Sequence, residues 1–320
     1  MTKKIGIIIP YFGKWPPWID YFFQSCIHNQ TIDWLFPTDC AKPPINEQNL
    51  KFIPFKLSDF NKRISSILGM STEVKYPYKI CDYKPAYGEI FSDLLTPYDF
   101  WGYGDLDLVY GNISDFFKDS ILNEFDIISN HPDFITGHFC LLKNTPRINA
   151  LYKLGGAYKY AFAEPHYTGF DEQIKRVKIN PDPKYLSSEN IKDRRKHIAR
   201  HRVFQNVKKL FHLKLNRTKN KKEAEILKDF TSIVMRSVSK KEIKLFQSKT
   251  FESDLMNLKL KKENWKITWK NGLLKNDLDK NLLYFHFMLS KDDESFQVSR
   301  YIQGIKEFSI TPSGINGVTK

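Results

Sequence analysis

Two acids one residue apart, Asp105 and Asp107, sit inside the aromatic and aliphatic run 101–112, WGYGDLDLVYGN. A charge within an apolar strand is costly unless something compensates it. Side chains alternate along a strand, so Asp105 and Asp107 share one side while Leu106 and Leu108 take the other. A strand that stops near Gly104 puts both carboxylates in the loop at its carboxyl end, where open α/β sheets bind ligands. Two hard oxygen donors at this separation suit Mg²⁺ or Mn²⁺, which keep positions open for water and phosphate oxygens. A pair of acids in a solvated turn is the plainer alternative, but the strand before them and the apolar pair after them argue for a buried site.

The pattern around this segment supplies such a sheet. Residues 4–9 (KIGIII) read as a strand buried on both faces, as in a parallel sheet covered by helices. WPPWIDYFFQSCIHN reads as a Pro-marked turn and an amphipathic helix. IDWLFPTD is a second strand ending at Thr38 and Asp39, and LKFIPFKLSDF a third. This order predicts an α/β fold with loops gathered at the strands' carboxyl ends. In residues 83–95, Ala86, Ile90, Phe91, Leu94 and Leu95 recur at helical spacing. FDIIS and GHFCLLKN read as further strands, and TPRINALYKLG as a helix with Pro near its start. WKITWKNGLL is a hairpin signal with Asn271-Gly272 as its turn, and LLYFHFMLSKDD one more strand.

Composition narrows the class. With 41% hydrophobic and 15% aromatic residues the chain is globular. No run approaches the roughly 20 apolar residues that span a bilayer. The opening apolar run, Ile5 to Ile9, is cut by Pro10 and Gly13 and reads as a strand rather than a secretory signal. Cys26, Cys40, Cys81 and Cys140 are far apart and form no CxxC pair, which points away from a disulfide framework or zinc site and towards a cytoplasmic setting. The net charge of +14 is concentrated: residues 191–222 carry 13 Lys/Arg against one acid, Asp193. There IKDRRKHIARHRVFQNVKKLFHLKLNR interleaves cations with Ile198, Val203, Phe204, Val207, Leu210 and Phe211 near a 3.6 period. This predicts basic helices over residues 190 to about 215 and 222–237. Such a face fits an anionic membrane surface, or is simply solvated. Nucleic acid is a poorer fit, since stacking aromatics are few.

The joint pattern KICDYKPAYGEIF and YDFWGYGDLDLVYGNI resembles the D-x-D core of GT-A-fold glycosyltransferases, close to a bacterial group that makes capsular and lipopolysaccharide glycans. The resemblance covers about the first 180 residues and resumes near WKITWKNGLL, YFHF and FSITPSG. It implies that Pro10, Tyr11, Phe12 and Gly13 after the first strand, with Thr38 and Asp39 after the second, hold the nucleotide, Tyr11 lying near the base. It implies donor contacts for Asp82 and Lys84, and metal binding by Asp105 and Asp107. His286 matches a third metal ligand and Lys291 a diphosphate contact, although the tryptophan that commonly ends that pattern is missing. A neutral imidazole suits Mn²⁺, whereas a lone His in an aromatic strand also serves as a packed core residue. Gly137 and His138 resemble the floor of the sugar pocket. Asp171 and Glu172 stand where such enzymes carry acceptor-binding or catalytic carboxylates, working as a base in an inverting transfer or stabilising an oxocarbenium-like centre in a retaining one. Asp171 also reads as the N-cap of a helix.

The expectation is therefore a GT-A-like, Rossmann-type mixed sheet flanked by helices, with a catalytic core over residues 1–185. A basic, mainly helical insertion spans 186–250, and a C-terminal segment, 251–320, returns to complete the active site. The expected activity is metal-dependent transfer from a nucleotide-diphosphate sugar, such as a UDP-sugar, to a glycan or lipid-linked glycan acceptor at the inner membrane face. The alternatives are a nucleotidyltransferase or sugar-nucleotide hydrolase, for which PYFGKWPPW is a poor phosphate loop, and a basic nucleic-acid-binding module.

Overall fold

The computed structural model describes residues 3–173, 228–248, 252–254, 265–288 and 290–317. The basic run 191–222, the helix predicted over 190 to about 215 and the helix expected to follow Asp171 lie outside these.

The fold is mixed α/β, built on a seven-stranded sheet flanked by helices. Its strands run β3 (Leu50–Pro54), β2 (Ile32–Thr38), β1 (Ile5–Ile8), β4 (Phe100–Gly104), β7 (Phe139–Lys143), β6 (Ile127–Ser129) and β8 (Leu245–Gln247) across the sheet. The first four are parallel, β7 is antiparallel to both neighbours, and β6 and β8 are parallel to each other. Strand β1 is buried on both faces, as its apolar run demands. Ile8 joins one core with Leu35, Trp101, Tyr103 and Cys140, while Ile5 and Ile7 join the opposite core with Trp34, Phe36 and Phe100. From β1 the chain moves outward to β2 and β3, then returns to β4 on the other side. This makes β1/β4 a switch point, the kind of place at whose carboxyl end open α/β sheets bind ligands. Helix α1 (Ile19–Ile27) covers one face with Phe22, Phe23 and Cys26, and α2 (Leu57–Leu68) covers the other with Phe60 and Ile64.

Several boundaries differ from the sequence expectation. The third strand ends at Pro54, and KLSDF opens α2 instead, with Asp59 accepting from the Lys56 backbone N–H. Residues 83–95 do not form one α-helix. A 3₁₀ run, Pro77–Ala86, gives way to two single turns, Tyr87–Ile90 and Ser92–Leu95. Pro85 lacks the N–H that an α-helix needs there. TPRINALYKLG likewise breaks into Pro146–Asn149 and a 3₁₀ turn, Leu151–Lys153. Residues 228–248, assigned above to the insertion, belong to the core. The helix Phe230–Ser239 packs Phe230, Ile233 and Val234 on the first core, and β8 closes the main sheet.

Strand β5 (Leu108–Tyr110), directly after the acids, lies in a separate three-stranded sheet between β4 and the C-terminal part. It pairs antiparallel with β12 (Tyr284–His286), which also pairs parallel with β9 (Glu252–Asp254). A third sheet holds β10 (Ile267–Lys270), β11 (Leu273–Lys275), β13 (Gln297–Val298), β14 (Glu307–Thr311) and β15 (Gly314–Gly317). Its β10–β11 hairpin turns at Asn271 and Gly272, both with positive φ (48° and 86°). That pair of conformations is the type I′ turn that Asn-Gly favours. Among the described residues no helix is long and apolar enough to cross a membrane.

Candidate metal and nucleotide site

Strand β4 stops at Gly104, so Asp105 and Asp107 fall in the loop between β4 and β5. Three long-range bonds pin this loop. The Asp105 N–H donates to His138 O (3.0 Å), Trp18 Nε1 to Leu106 O (2.9 Å) and the Phe287 N–H to Asp107 O (3.1 Å). The acids are therefore held by three elements distant in sequence: the start of α1, the approach to β7 and the end of β12.

The register of β12 on β5 sets His286 opposite Leu108, beside the acids. Ligand atoms of Asp105, Asp107 and His286 all lie within 4.8 Å of one another. Two ligands on one Mg²⁺-sized ion are at most about 4.2 Å apart, so small side-chain adjustments bring the three onto a single cation. His286 Nε2 is buried and lies 3.3 Å from Asp107 Oδ2, an ion-pair distance if the ring is protonated. The buried imidazole nitrogen thus faces a carboxylate at the spacing that two ligands of one ion take. The three residues fit a divalent ion, and the imidazole favours Mn²⁺ over Mg²⁺.

Lys84 and Lys291 each reach one acid. Lys84 Nζ lies 2.5 Å from Asp105 Oδ1, 2.8 Å from Gly137 O and 3.9 Å from Asp171 Oδ2. Lys291 Nζ lies 2.5 Å from Asp107 Oδ2 and 5.7 Å from the centre of the Trp18 ring. Burial works against the charge on Asp107, but Lys291 and His286 outweigh it and hold its carboxyl well below the usual range. Burial likewise opposes the charge on Lys84, which the Asp105 carboxylate more than restores.

The 3₁₀ run explains how Lys84 comes to point here. Side chains three apart eclipse in such a helix, giving three ridges. Ile80, Tyr83 and Ala86 face the core. Cys81 and Lys84 share the second ridge, and Lys79 and Asp82 the third. Lys79 Nζ donates to Asp82 Oδ2 (2.7 Å) and to the carbonyls of Ala161 (2.6 Å) and His166 (2.8 Å). Asp82 also accepts from Thr168 N–H (2.8 Å), Thr168 Oγ1 (2.9 Å) and Phe170 N–H (2.9 Å). Asp82 has no exposed surface, and its oxygens are engaged with protein donors. It is thus a clamp on the segment leading to Asp171, rather than a group facing the donor as the resemblance implied.

That clamp delivers the second acidic pair. Asp171 is buried and accepts from Tyr167 Oη (2.8 Å). Burial first, then the neighbouring Glu172 and Asp82, push its carboxyl well above the usual range against the pull of Lys84. Glu172 is more accessible, its Oε1 accepting from the Gly137 N–H (2.8 Å) and lying 4.0 Å from His138 Nδ1. A Cβ on Gly137 would overlap Asp171 Oδ2 and Glu172 Cγ, so its close approach is to this pair. His138 Nε2 is 2.8 Å from Tyr284 Oη, and its ring lies 4.5 Å from that of His286.

The first loop lines the other side. Tyr11 continues the ladder with β2, its N–H donating to Pro37 O (3.0 Å) and its residue bridging Thr38. The Gly13 N–H donates to Asp39 Oδ1 (2.7 Å), tying the two predicted nucleotide loops together. The Tyr11 ring stacks on Trp15 (5.4 Å, 7°), and Asp107 and Lys291 are close enough to act on its hydroxyl. Pro10 and Thr38 are buried, and Phe12 turns into the first core against Phe55. Of the loop groups, Tyr11 is half-buried and Gly13 and Asp39 are exposed.

Trp18, Tyr167 and Tyr284 were not singled out from the sequence. Tyr284 was accessible to reasoning, since it stands two residues before His286 on the same face of a strand. Nothing in local spacing marks Trp18 or Tyr167. A family model with the description "Family of unknown function (DUF6625)" matches residues 7–318. No curated protein matches the sequence.

Proposed function

The chain belongs to the DUF6625 family, whose function is unknown, and from its site we propose a metal-dependent glycosyltransferase of GT-A type. It moves a sugar from a nucleoside-diphosphate donor, a UDP-sugar in the first instance, to a surface-glycan acceptor. The observation that carries this reading is the meeting of Asp105, Asp107 and His286 within 4.8 Å at the carboxyl end of β4, flanked by Lys84 and Lys291. This is a set of oxygen, nitrogen and ammonium groups suited to a cation with a diphosphate on it.

Asp105, Asp107 and His286 hold the metal in this reading. Mn²⁺ bound there supplies charge stabilisation for the departing diphosphate. Lys291, being partly exposed, turns its ammonium to a phosphate oxygen. Tyr11 flanks the base, while Gly13 and Asp39 border the nucleoside. Glu172, the more accessible of the second acidic pair, faces the acceptor hydroxyl and takes its proton. Asp171, more deeply set beside Lys84, steadies the donor sugar's side of the pocket. The basic run 191–222 places the enzyme on an anionic membrane where a lipid-linked acceptor is presented.

The test is turnover of a panel of nucleotide sugars, with and without Mn²⁺, for the wild type and for Asp105→Asn and Asp107→Asn. Mn²⁺-dependent consumption of one donor is expected, reduced more than about 100-fold in either variant, beyond the loss typical of outer-shell partners. Full activity in the doubly substituted protein would overturn the proposal.

A further inference from the structure

Each acid of the pair is already bonded to an ammonium group. The two contacts, Lys84–Asp105 and Lys291–Asp107, are both 2.5 Å long. Their lysine side chains are 6% and 26% exposed. Two carboxylates facing two ammoniums leave this part of the site electrically balanced. A divalent cation arriving alone has to part the carboxylates from these ammoniums, and it leaves excess positive charge in a partly buried site. A diphosphate arriving with it brings compensating charge and new oxygens for the displaced donors.

The two lysines are not equivalent. Lys84 has a second acceptor, Gly137 O at 2.8 Å, which fixes its ammonium. Lys291 donates to Asp107, and its side chain is the more exposed of the two. It is the one able to swing.

We infer that Lys291 is an internal counter-cation that makes uptake of metal and of diphosphate conditional on each other. Asp107 exchanges Lys291 for the metal only when a phosphate oxygen is present to receive the lysine. This rests on the metal-diphosphate reading above and adds an order to it: the metal is refused alone and accepted with the nucleotide.

The experiment is titration calorimetry of the full chain with Mn²⁺ alone, and then at saturating UDP, GDP or ADP in separate runs. The wild type should bind Mn²⁺ at least about tenfold more tightly with one of the nucleotides than without, a coupling of ordinary allosteric size. Lys291→Met should bind Mn²⁺ alone about tenfold more tightly than the wild type and lose most of the coupling. Lys291→Arg, which keeps the charge, should retain it. If the wild type binds Mn²⁺ equally well with and without every nucleotide, the inference falls while the metal site stands. The same holds if Lys291→Met gains no affinity for Mn²⁺ alone. Absence of Mn²⁺ binding in all proteins under all conditions removes the metal reading itself, and the inference with it. A wild type without this coupling overturns the inference even if a variant does not fold.

Discussion

His138 Nε2 and Tyr284 Oη lie 2.8 Å apart although 146 positions separate them in the chain. The imidazole so held lies 4.5 Å, ring to ring, from His286. Removing the Tyr284 hydroxyl takes this bond from His138 and loosens the wall behind the proposed ligand. Tyr284→Phe should weaken Mn²⁺ binding in the presence of nucleotide about tenfold, the usual scale for an outer-shell partner. Calorimetry measures this, and an unchanged affinity would show that His138 does not orient His286.

Asp82 is expected to matter for stability rather than for donor affinity. Breaking a buried pair by removing one partner costs about 3–5 kcal/mol, because the other charge is left uncompensated. Asp82→Ala should show a loss of this size in urea unfolding, as should Lys79→Met. Replacing both should cost less than the sum of the two. If Asp82→Ala unfolds like the wild type but binds nucleotide poorly, the clamp assignment is wrong.

Asp171 links the site to pH. Burial raises its carboxyl well above the ordinary value of 3.8, so the folded chain keeps the proton where the unfolded chain has lost it. The stabilisation is complete below the unfolded value and is lost as pH rises through the folded one. Asp171→Asn should therefore have a melting temperature that falls less than that of the wild type between about pH 4 and about pH 7. Parallel melting curves across that range would refute the assignment.

Gly137 separates the two halves of the site experimentally. An added Cβ meets Asp171 Oδ2 and Glu172 Cγ, not the proposed metal ligands. Gly137→Ala should lower kcat about tenfold or more by displacing the proposed base, an effect on the scale of misplaced catalytic groups. Mn²⁺ affinity should stay within about twofold of the wild type, a change under the size of a resolved coupling. Loss of metal binding in this variant would mean that the two halves are not independent.

The apolar strands were legible because burial on both faces leaves a continuous run, as in residues 5–8 and 139–142, and the hairpin because Asn271-Gly272 meets a backbone requirement directly. The acid loop was legible because its charges stand against an apolar background. The 3₁₀ run was not, since the apolar residues 80, 83 and 86 at spacing three also fall within a helical pattern. The role of Asp82 was hidden for a different reason. Its partners Thr168 and Phe170 lie 86 and 88 positions away, and no local pattern encodes them. Gly137 was expected to permit close approach at the floor of a sugar pocket; the groups that approach it in the fold are the side chains of Asp171 and Glu172.

The pairing of β5 with β12 has a consequence for how the protein comes into being. The acid loop emerges early in synthesis, yet the strand that braces it and carries His286 is made far later. Until β12 is made, the carboxylates stand without His286 beside them and without Lys291, the partner of Asp107. In the proposed metal-dependent reading, cation capture therefore waits on the making of β12, however early the acids themselves are in place.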